Sequence, residues 1–361
     1  MTKVYPTITV PGRYLDRDRL TRFEYGSYCI VLHDTEIDAT LSSAYGRSGL
    51  CVKVLSGLIP QRIIRVDQEK PYRYGKTDLF EATVIQNLMA RRGMAPRVYG
   101  WASVNELIAQ VVKFIPNEKD PPAAERDARG VRLQQMLEEL GLVSVARDMD
   151  TGVLNWRDNK YVDFSHFNFR DYDGYLASLD VRARTRRGEV LPKAYQPVPG
   201  LNIVGTRDIP ARIENLRLSE IDWKGKNVMD IGCNFGAFSR YVTDAGARRV
   251  IGLDKAGELS FEINNALGYW NMDIVTTELP PKRKLPKVEI AFMMAFHNYV
   301  GGLEAALSWS APVVINLMIV ESHGGENQTE CEAILKKFFK QVDYLGFVKD
   351  PKVRHQWHCW K

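Results

Sequence analysis

The sequence predicts an α/β protein, with a doubly wound seven-stranded sheet in the C-terminal half and a smaller α+β domain before it. Three observations carry that expectation. First, Val228-Met-Asp-Ile-Gly-Cys-Asn-Phe-Gly236 followed by Val250-Ile-Gly-Leu-Asp254 reads as buried strand, glycine turn, helix, second strand and closing carboxylate, the front half of a nucleotide-binding unit. Second, residues 288–296 and 312–320 are continuous apolar runs, as expected of central parallel strands buried on both faces. Third, a chain of 361 residues exceeds the usual single-domain length.

The elements follow in order. Residues 228–231 form the first strand of the C-terminal half. Phe235, Phe238, Tyr241, Val242 and Ala245 recur at helical spacing, ended by Gly246. A second strand spans 250–253, a second helix 259–267, and an amphipathic helix 330–344. Residues 346–348 and 355–360 read as a closing antiparallel pair. The polar stretch 182–205, with Arg-Ala-Arg-Thr-Arg-Arg-Gly and three prolines, reads as an extended connector. The expected division is therefore a domain over 1–181, a linker over 182–205 and a domain over 206–361.

Composition narrows the class. Hydrophobic residues at 45% and charged residues at 26% describe an ordinary globular protein. A net charge of +5 permits an anionic partner without demanding one, and the only compact basic run is Lys282-Arg-Lys284. Five cysteines, odd in number and without close pairing, argue against a disulfide framework and against a zinc site. No apolar run approaches a membrane span, and the first residues lack the apolar core of a signal peptide, so a cytoplasmic location is expected and no metal is assigned to the C-terminal half.

The spacing of the glycine turn selects its ligand. A nicotinamide or flavin site would show G-x-G-x-x-G, where the middle glycine admits a pyrophosphate. Here the pattern is Asp230-x-Gly232-x-x-x-Gly236, and an acid beside the loop repels a pyrophosphate but suits a cation. This resembles the S-adenosylmethionine loop of class I methyltransferases, whose sheet is seven-stranded and Rossmann-like. The resemblance implies a cofactor site of Asp230, Gly232, Cys233, Asn234, Gly236, Asp254 and Asp273. Asp230 would meet the amino group through water, Asp254 both ribose hydroxyls, and Asp273 the adenine amine. A side chain at either glycine is expected to intrude on ligand space.

After the fourth strand, Met293-Met-Ala-Phe-His-Asn-Tyr299 lacks the polar-Pro-Pro-aromatic tetrad of amino-methylating nucleic-acid enzymes. It is similar instead to strand ends of enzymes that methylate oxygen. His297 either removes a hydroxyl proton as the methyl leaves sulfur or is a structural histidine at a strand end. Asn298, Glu321 and His323 lie after the fourth and fifth strands at the same carboxyl edge and are candidate acceptor contacts. The implied acceptor is a hydroxyl or similar group on a glycan, a small metabolite or RNA; nothing in the sequence sets the oligomeric state.

The N-terminal half carries a second resemblance. Gly26-Ser-Tyr-Cys-Ile-Val31 and Leu50-Cys-Val-Lys-Val-Leu55 resemble the covering loop and lysine strand of protein-kinase-like folds. Glu81 falls on a helical pattern where it would pair with Lys53; Ala146-Arg-Asp148 resembles a catalytic loop, and Tyr161-Val-Asp-Phe-Ser165, with Asp163, a metal-binding turn. The resemblance implies a site for ATP and magnesium built from Lys53, Glu81, Asp148 and Asp163. Only Gly26 remains of the glycine-rich loop, and little chain follows Asp163 before the connector. A degenerate kinase-like domain that binds substrate, nucleotide or partner is therefore the expectation, with a bifunctional kinase–methyltransferase and a non-catalytic S-adenosylmethionine-binding scaffold as alternatives.

Overall fold

The computed structural model describes residues 7–10, 29–32, 35–55, 79–104, 107–113, 128, 131–132, 135–144, 156–157, 160–161, 167–349 and 352–361. They divide into two compact units, Met1–Tyr175 and Leu176–Lys361. The boundary falls within a helix, Tyr172–Arg184.

The N-terminal unit contains a five-stranded sheet built from β1 (Thr7–Val10), β2 (Cys29–Leu32), β3 (Leu50–Leu55), β4 (Val98–Val104) and β5 (Leu107–Lys113) in the order β1-β4-β5-β3-β2. Helix α1 (Thr35–Tyr45) buries Ile37, Leu41 and Tyr45, four apart, as one face of a helix must. Helix α2 (Leu79–Arg91) is buried from Ala82 to Met89, and its Asn87 side chain both donates to and accepts from the Val98 backbone (3.2 and 2.8 Å). Short strands β6 (Leu142–Ser144) and β9 (Phe167–Phe169) pair antiparallel, as do β7 (Trp156–Arg157) and β8 (Lys160–Tyr161). Lys53 stands on β3, and Glu81 on α2 accepts the backbone N–H of Phe169 at 2.7 Å. Asp148 and Asp163 lie outside the described residues, so no nucleotide or magnesium site is assembled among those that are described.

In the C-terminal unit, residues 182–205 are folded where an extended connector was expected. They comprise the end of α3 (Tyr172–Arg184), a hairpin of β10 (Thr185–Arg186) and β11 (Glu189–Val190), and a turn closed by the bridges Ala194↔Gly205 and Val198↔Ile203. Helix α4 (Ile209–Asn215) then leads to the main sheet.

That sheet contains β12 (Asn227–Ile231), β13 (Arg249–Asp254), β14 (Met272–Thr276), β15 (Val288–Met294), β16 (Val314–Glu321), β17 (Gln341–Lys349) and β18 (Val353–Trp360). The order is β14-β13-β12-β15-β16-β18-β17. The first five are mutually parallel, while β18 runs antiparallel to both β16 and β17. Helices α5 (Ala237–Asp244), α6 (Gly257–Ala266), α7 (Leu303–Ser310) and α8 (Gln328–Leu335) connect the strands. Strand order reverses between β12 and its neighbours β13 and β15, which makes the carboxyl ends of these strands the natural ligand crevice.

The core follows from the two-sided burial that continuous apolar strands require. Met229, Ile231, Leu253, Ala291, Met293, Met318 and Val320 form one cluster, and Phe292 stacks between Trp223 and Phe238 at 5.7 and 5.6 Å. One expected element is shorter than its periodicity suggested: the helix over 330–344 ends at Leu335. Pairing of Gln341 with Trp360 draws the following residues into β17, while buried Phe339 anchors the turn between them. No helix among the described residues is long and apolar enough to cross a membrane.

Candidate functional site

The turn from β12 into α5 is a left-handed loop. Gly232, Asn234 and Gly236 have φ of 75°, 50° and 77°, a region that glycine enters freely and asparagine tolerates. The glycines are required for packing as well as for backbone freedom. A Cβ on Gly232 would lie 3.0 Å from the Phe296 Cβ, and one on Gly236 would lie 3.1 Å from the Asn264 amide nitrogen. Such a side chain would press on these protein atoms.

Backbone N–H groups of Gly232 and Cys233 donate to the Leu253 carbonyl (2.8 and 3.2 Å), which fastens the loop to the end of β13. Asp254 then binds the loop itself. Its Oδ2 accepts from Asn234 N at 2.9 Å and its Oδ1 from Ala256 N at 2.8 Å. Each carboxylate oxygen keeps a further lone pair, so the pair is oriented yet still able to accept two hydroxyls. The side-chain oxygen of Asn234 is buried and has no hydrogen-bond partner.

Asp230 lies beneath, 2% exposed, and accepts the Ser239 hydroxyl at 2.6 Å. Burial pushes its carboxyl up to about 6, with the Ser239 hydrogen bond opposing and the Asp254 charge adding to the rise. Burial and the same two acids also raise the Cys233 thiol. Arg240 is buried beside the loop, where it donates to the carbonyl of Phe235 and to Asn264 Oδ1 (3.0 Å), and burial lowers it to about 10. Gln196, from the stretch expected to be a connector, completes the loop: its amide donates to the Cys233 carbonyl at 3.3 Å and accepts Ala237 N at 3.2 Å. Two carboxylates thus stand at the loop, Asp230 buried and Asp254 oriented by two backbone N–H groups, an arrangement that disfavours an anion such as a pyrophosphate.

Asp273 does not join this group. It is the second residue of β14, in register with Ile251, and its carboxylate is taken by Arg249 at 2.9 Å; Thr276 is the residue opposite Asp254. The crevice side of β14 offers Thr276, whose hydroxyl donates to Glu258 at 2.9 Å.

At the other side of the crevice, β15 ends in a turn in which Ala295 has φ 56° and donates its N–H to the Glu321 carbonyl. His297 follows, fully buried, with Nε2 at 2.8 and 3.0 Å from the Glu326 carboxylate. Asn298 and Tyr299 beside it are exposed. Glu321 is not available to an acceptor: Arg212 grips it through two bonds of 2.6 and 3.0 Å, and Gln356 donates at 2.8 Å. His323 is half-buried; burial and the Arg354 charge lower its pKa, and its backbone N–H donates to Glu326 at 2.7 Å. Glu326 and Gln196 were missed by sequence reasoning. Nothing local marks their link to the crevice, since the Cys233 carbonyl that Gln196 meets and the His297 ring that Glu326 meets lie 37 and 29 residues away. Among the described residues no group of three or more His, Cys, Asp or Glu is placed to hold a metal ion.

No family model and no curated protein matches the chain. Among solved structures, it is similar to a SAM-dependent methyltransferase from Aquifex aeolicus, at 17% identity over 42% of this chain and 89% of that one, with a TM-score of 0.34. It is also similar to magnesium protoporphyrin IX methyltransferase from Synechocystis PCC 6803 with bound SAM (16% identity, 43% and 79% covered, TM-score 0.35). A third is the N-methyltransferase NodS from Bradyrhizobium japonicum WM9 (13%, 42% and 96%, TM-score 0.33). These likenesses concern fold alone, and none supports the kinase-like arrangement expected of the N-terminal half.

Proposed function

We propose that the C-terminal unit is an S-adenosylmethionine-dependent methyltransferase, acting on a hydroxyl or similar nucleophile of a glycan, a small metabolite or RNA. The N-terminal unit is assigned the binding of substrate or partner. The observation that carries this reading is the pairing of Asp230 with Asp254 around a left-handed loop that leaves the buried Asn234 Oδ1 without a partner. That set of acceptors fits the cofactor: two carboxylates for a ligand bearing an ammonium and a sulfonium, and the unsatisfied Asn234 oxygen for one of its N–H or O–H groups.

When bound, the cofactor supplies a methyl group activated by positive sulfur. Asp254 accepts the ribose hydroxyls, and Asp230 offsets the positive charge. The loop 232–236 shapes the crevice, and the carboxyl ends of β15 and β16 receive the acceptor. Holding the acceptor in line and excluding water supplies most of the rate in such a transfer. His297 takes the acceptor's proton.

A SAM-binding scaffold without turnover is a second reading, favoured by the complete burial of His297. Incubation with S-adenosylmethionine and panels of hydroxyl acceptors separates the two. Acceptor-dependent S-adenosylhomocysteine supports the enzyme, whereas cofactor binding with no product across the panels supports the scaffold.

A further inference from the structure

We infer that Lys255 and Tyr299 form a strap across the mouth of the cofactor crevice, closed at rest and parting to admit and release the ligand. This rests on the methyltransferase reading above.

The two residues come from opposite sides of the glycine loop. Lys255 directly follows Asp254, the last residue of β13. Tyr299 lies in the 3₁₀ turn His297–Val300 that follows β15. Strand β12 runs between β13 and β15, so its carboxyl end and the loop that leaves it separate the two residues. The Lys255 ammonium nonetheless stands 5.8 Å from the centre of the Tyr299 ring, within the range of a cation–π contact. A contact joining the ends of β13 and β15 must arch past the carboxyl end of β12, which is where the crevice opens.

Packing does not account for this contact. Tyr299 is 79% exposed, so no surrounding core holds its ring in place. Lys255 is exposed as well, and its ammonium meets no carboxylate among the described residues, although Asp254 is its neighbour in the chain. The Asp254 oxygens are turned instead to Asn234 N and Ala256 N. An ammonium drawn onto the ring leaves that carboxylate free to accept ribose hydroxyls. The loop beneath is pinned by backbone hydrogen bonds, whereas the strap consists of two exposed side chains and one contact. Exposed side chains change rotamer in picoseconds to nanoseconds, and an exposed cation–π contact shifts an equilibrium only about 2- to 5-fold. Such a closure is weak enough to open at every binding event.

Rates test it. Association and dissociation of S-adenosylhomocysteine are measured on the immobilised full chain. Absence of binding by the wild type overturns the methyltransferase reading and this inference with it. Given binding, a strap closed in both the free and the bound state slows entry and exit alike. Lys255→Met and Tyr299→Leu should each raise both rates about 2- to 5-fold and leave Kd unchanged. Tyr299→Phe keeps an aromatic face and should behave as wild type. The double variant should be no faster than either single one, because the same contact is lost in all three. Both side chains are exposed, so the variants should unfold at the wild-type temperature. A rise in dissociation alone would make the pair a direct ligand contact, and a rise in association alone would make it a plug of the empty crevice. Either result, or unchanged rates, overturns the strap while leaving cofactor binding intact.

Discussion

Two buried carboxylates at the carboxyl edge of one sheet, Asp230 on β12 and Glu321 at the end of β16, have opposite surroundings. Glu321 is fully buried and fully matched, with Arg212 on both oxygens, Gln356 on one and Arg354 at 3.8 Å. Asp230 is equally buried, yet its hydrogen bonds come from Ser239 alone, and the charges of Asp254 and Arg212 act on it in opposite directions. Position at the ligand edge does not by itself make an acid functional. The partner set decides: an acid held in direct ion pairs belongs to the architecture, and one with no direct ion pair among the described residues keeps capacity for a cationic ligand.

The largest expected effect tests the architectural member. Arg212→Ala strands a buried charge and should destabilise the protein by about 3–5 kcal/mol in denaturant unfolding, with cofactor affinity unchanged in the molecules that remain folded. An effect on affinity without one on stability would reverse the roles assigned to the two acids.

Asp254→Ala should weaken S-adenosylmethionine binding by about 2–4 kcal/mol, because two hydrogen bonds to a charged acceptor are lost together with the brace on Asn234.

Asp230→Asn should act in opposite directions on stability and binding. A carboxyl that titrates near 6 in the folded chain and near 3.8 when unfolded holds its proton more tightly when folded. That favours the folded state at acidic pH, and the advantage is lost as pH climbs from about 4 through 6, leaving a cost of up to about 3 kcal/mol at neutral pH. The asparagine variant should thus unfold at higher temperature than wild type at pH 7.5, match it near pH 4, and bind the cofactor more weakly. A variant less stable than wild type at pH 7.5 would contradict a net cost of burying the Asp230 charge.

The smallest effect concerns Gln196. Gln196→Ala removes its bonds to Cys233 O and Ala237 N and should cost about 1 kcal/mol in stability, with a comparable loss of cofactor affinity.

What was legible in the sequence divides along the same line as the two acids. The loop could be read because its chemistry is local: Asp230, Gly232, Gly236 and the apolar strands around them lie within a short stretch, and the left-handed φ values need those glycines. Asp254 was legible as the terminal residue of a clear strand. Asp273 was misplaced because β14 begins at Met272, one residue before it, which puts the acid at the far end of the strand beside Arg249. Glu321 was misread because its neutralising partner, Arg212, comes from a helix a hundred positions earlier. Glu326 and Gln196 were invisible for the same reason. The stretch 182–205 looked like a linker because its arginines and prolines are loop residues by composition, whereas backbone bridges fold it on itself and Gln196 bonds it to the loop after β12.

The central claim, that the crevice between Asp230 and Asp254 holds a cationic sulfonium nucleoside, is tested most directly by titration calorimetry. S-adenosylmethionine should bind the wild-type chain with one-to-one stoichiometry and bind Asp254→Ala far more weakly, while a nicotinamide dinucleotide gives no heat. Binding of the dinucleotide in place of S-adenosylmethionine, or equal affinity of the wild type and Asp254→Ala for S-adenosylmethionine, would contradict it.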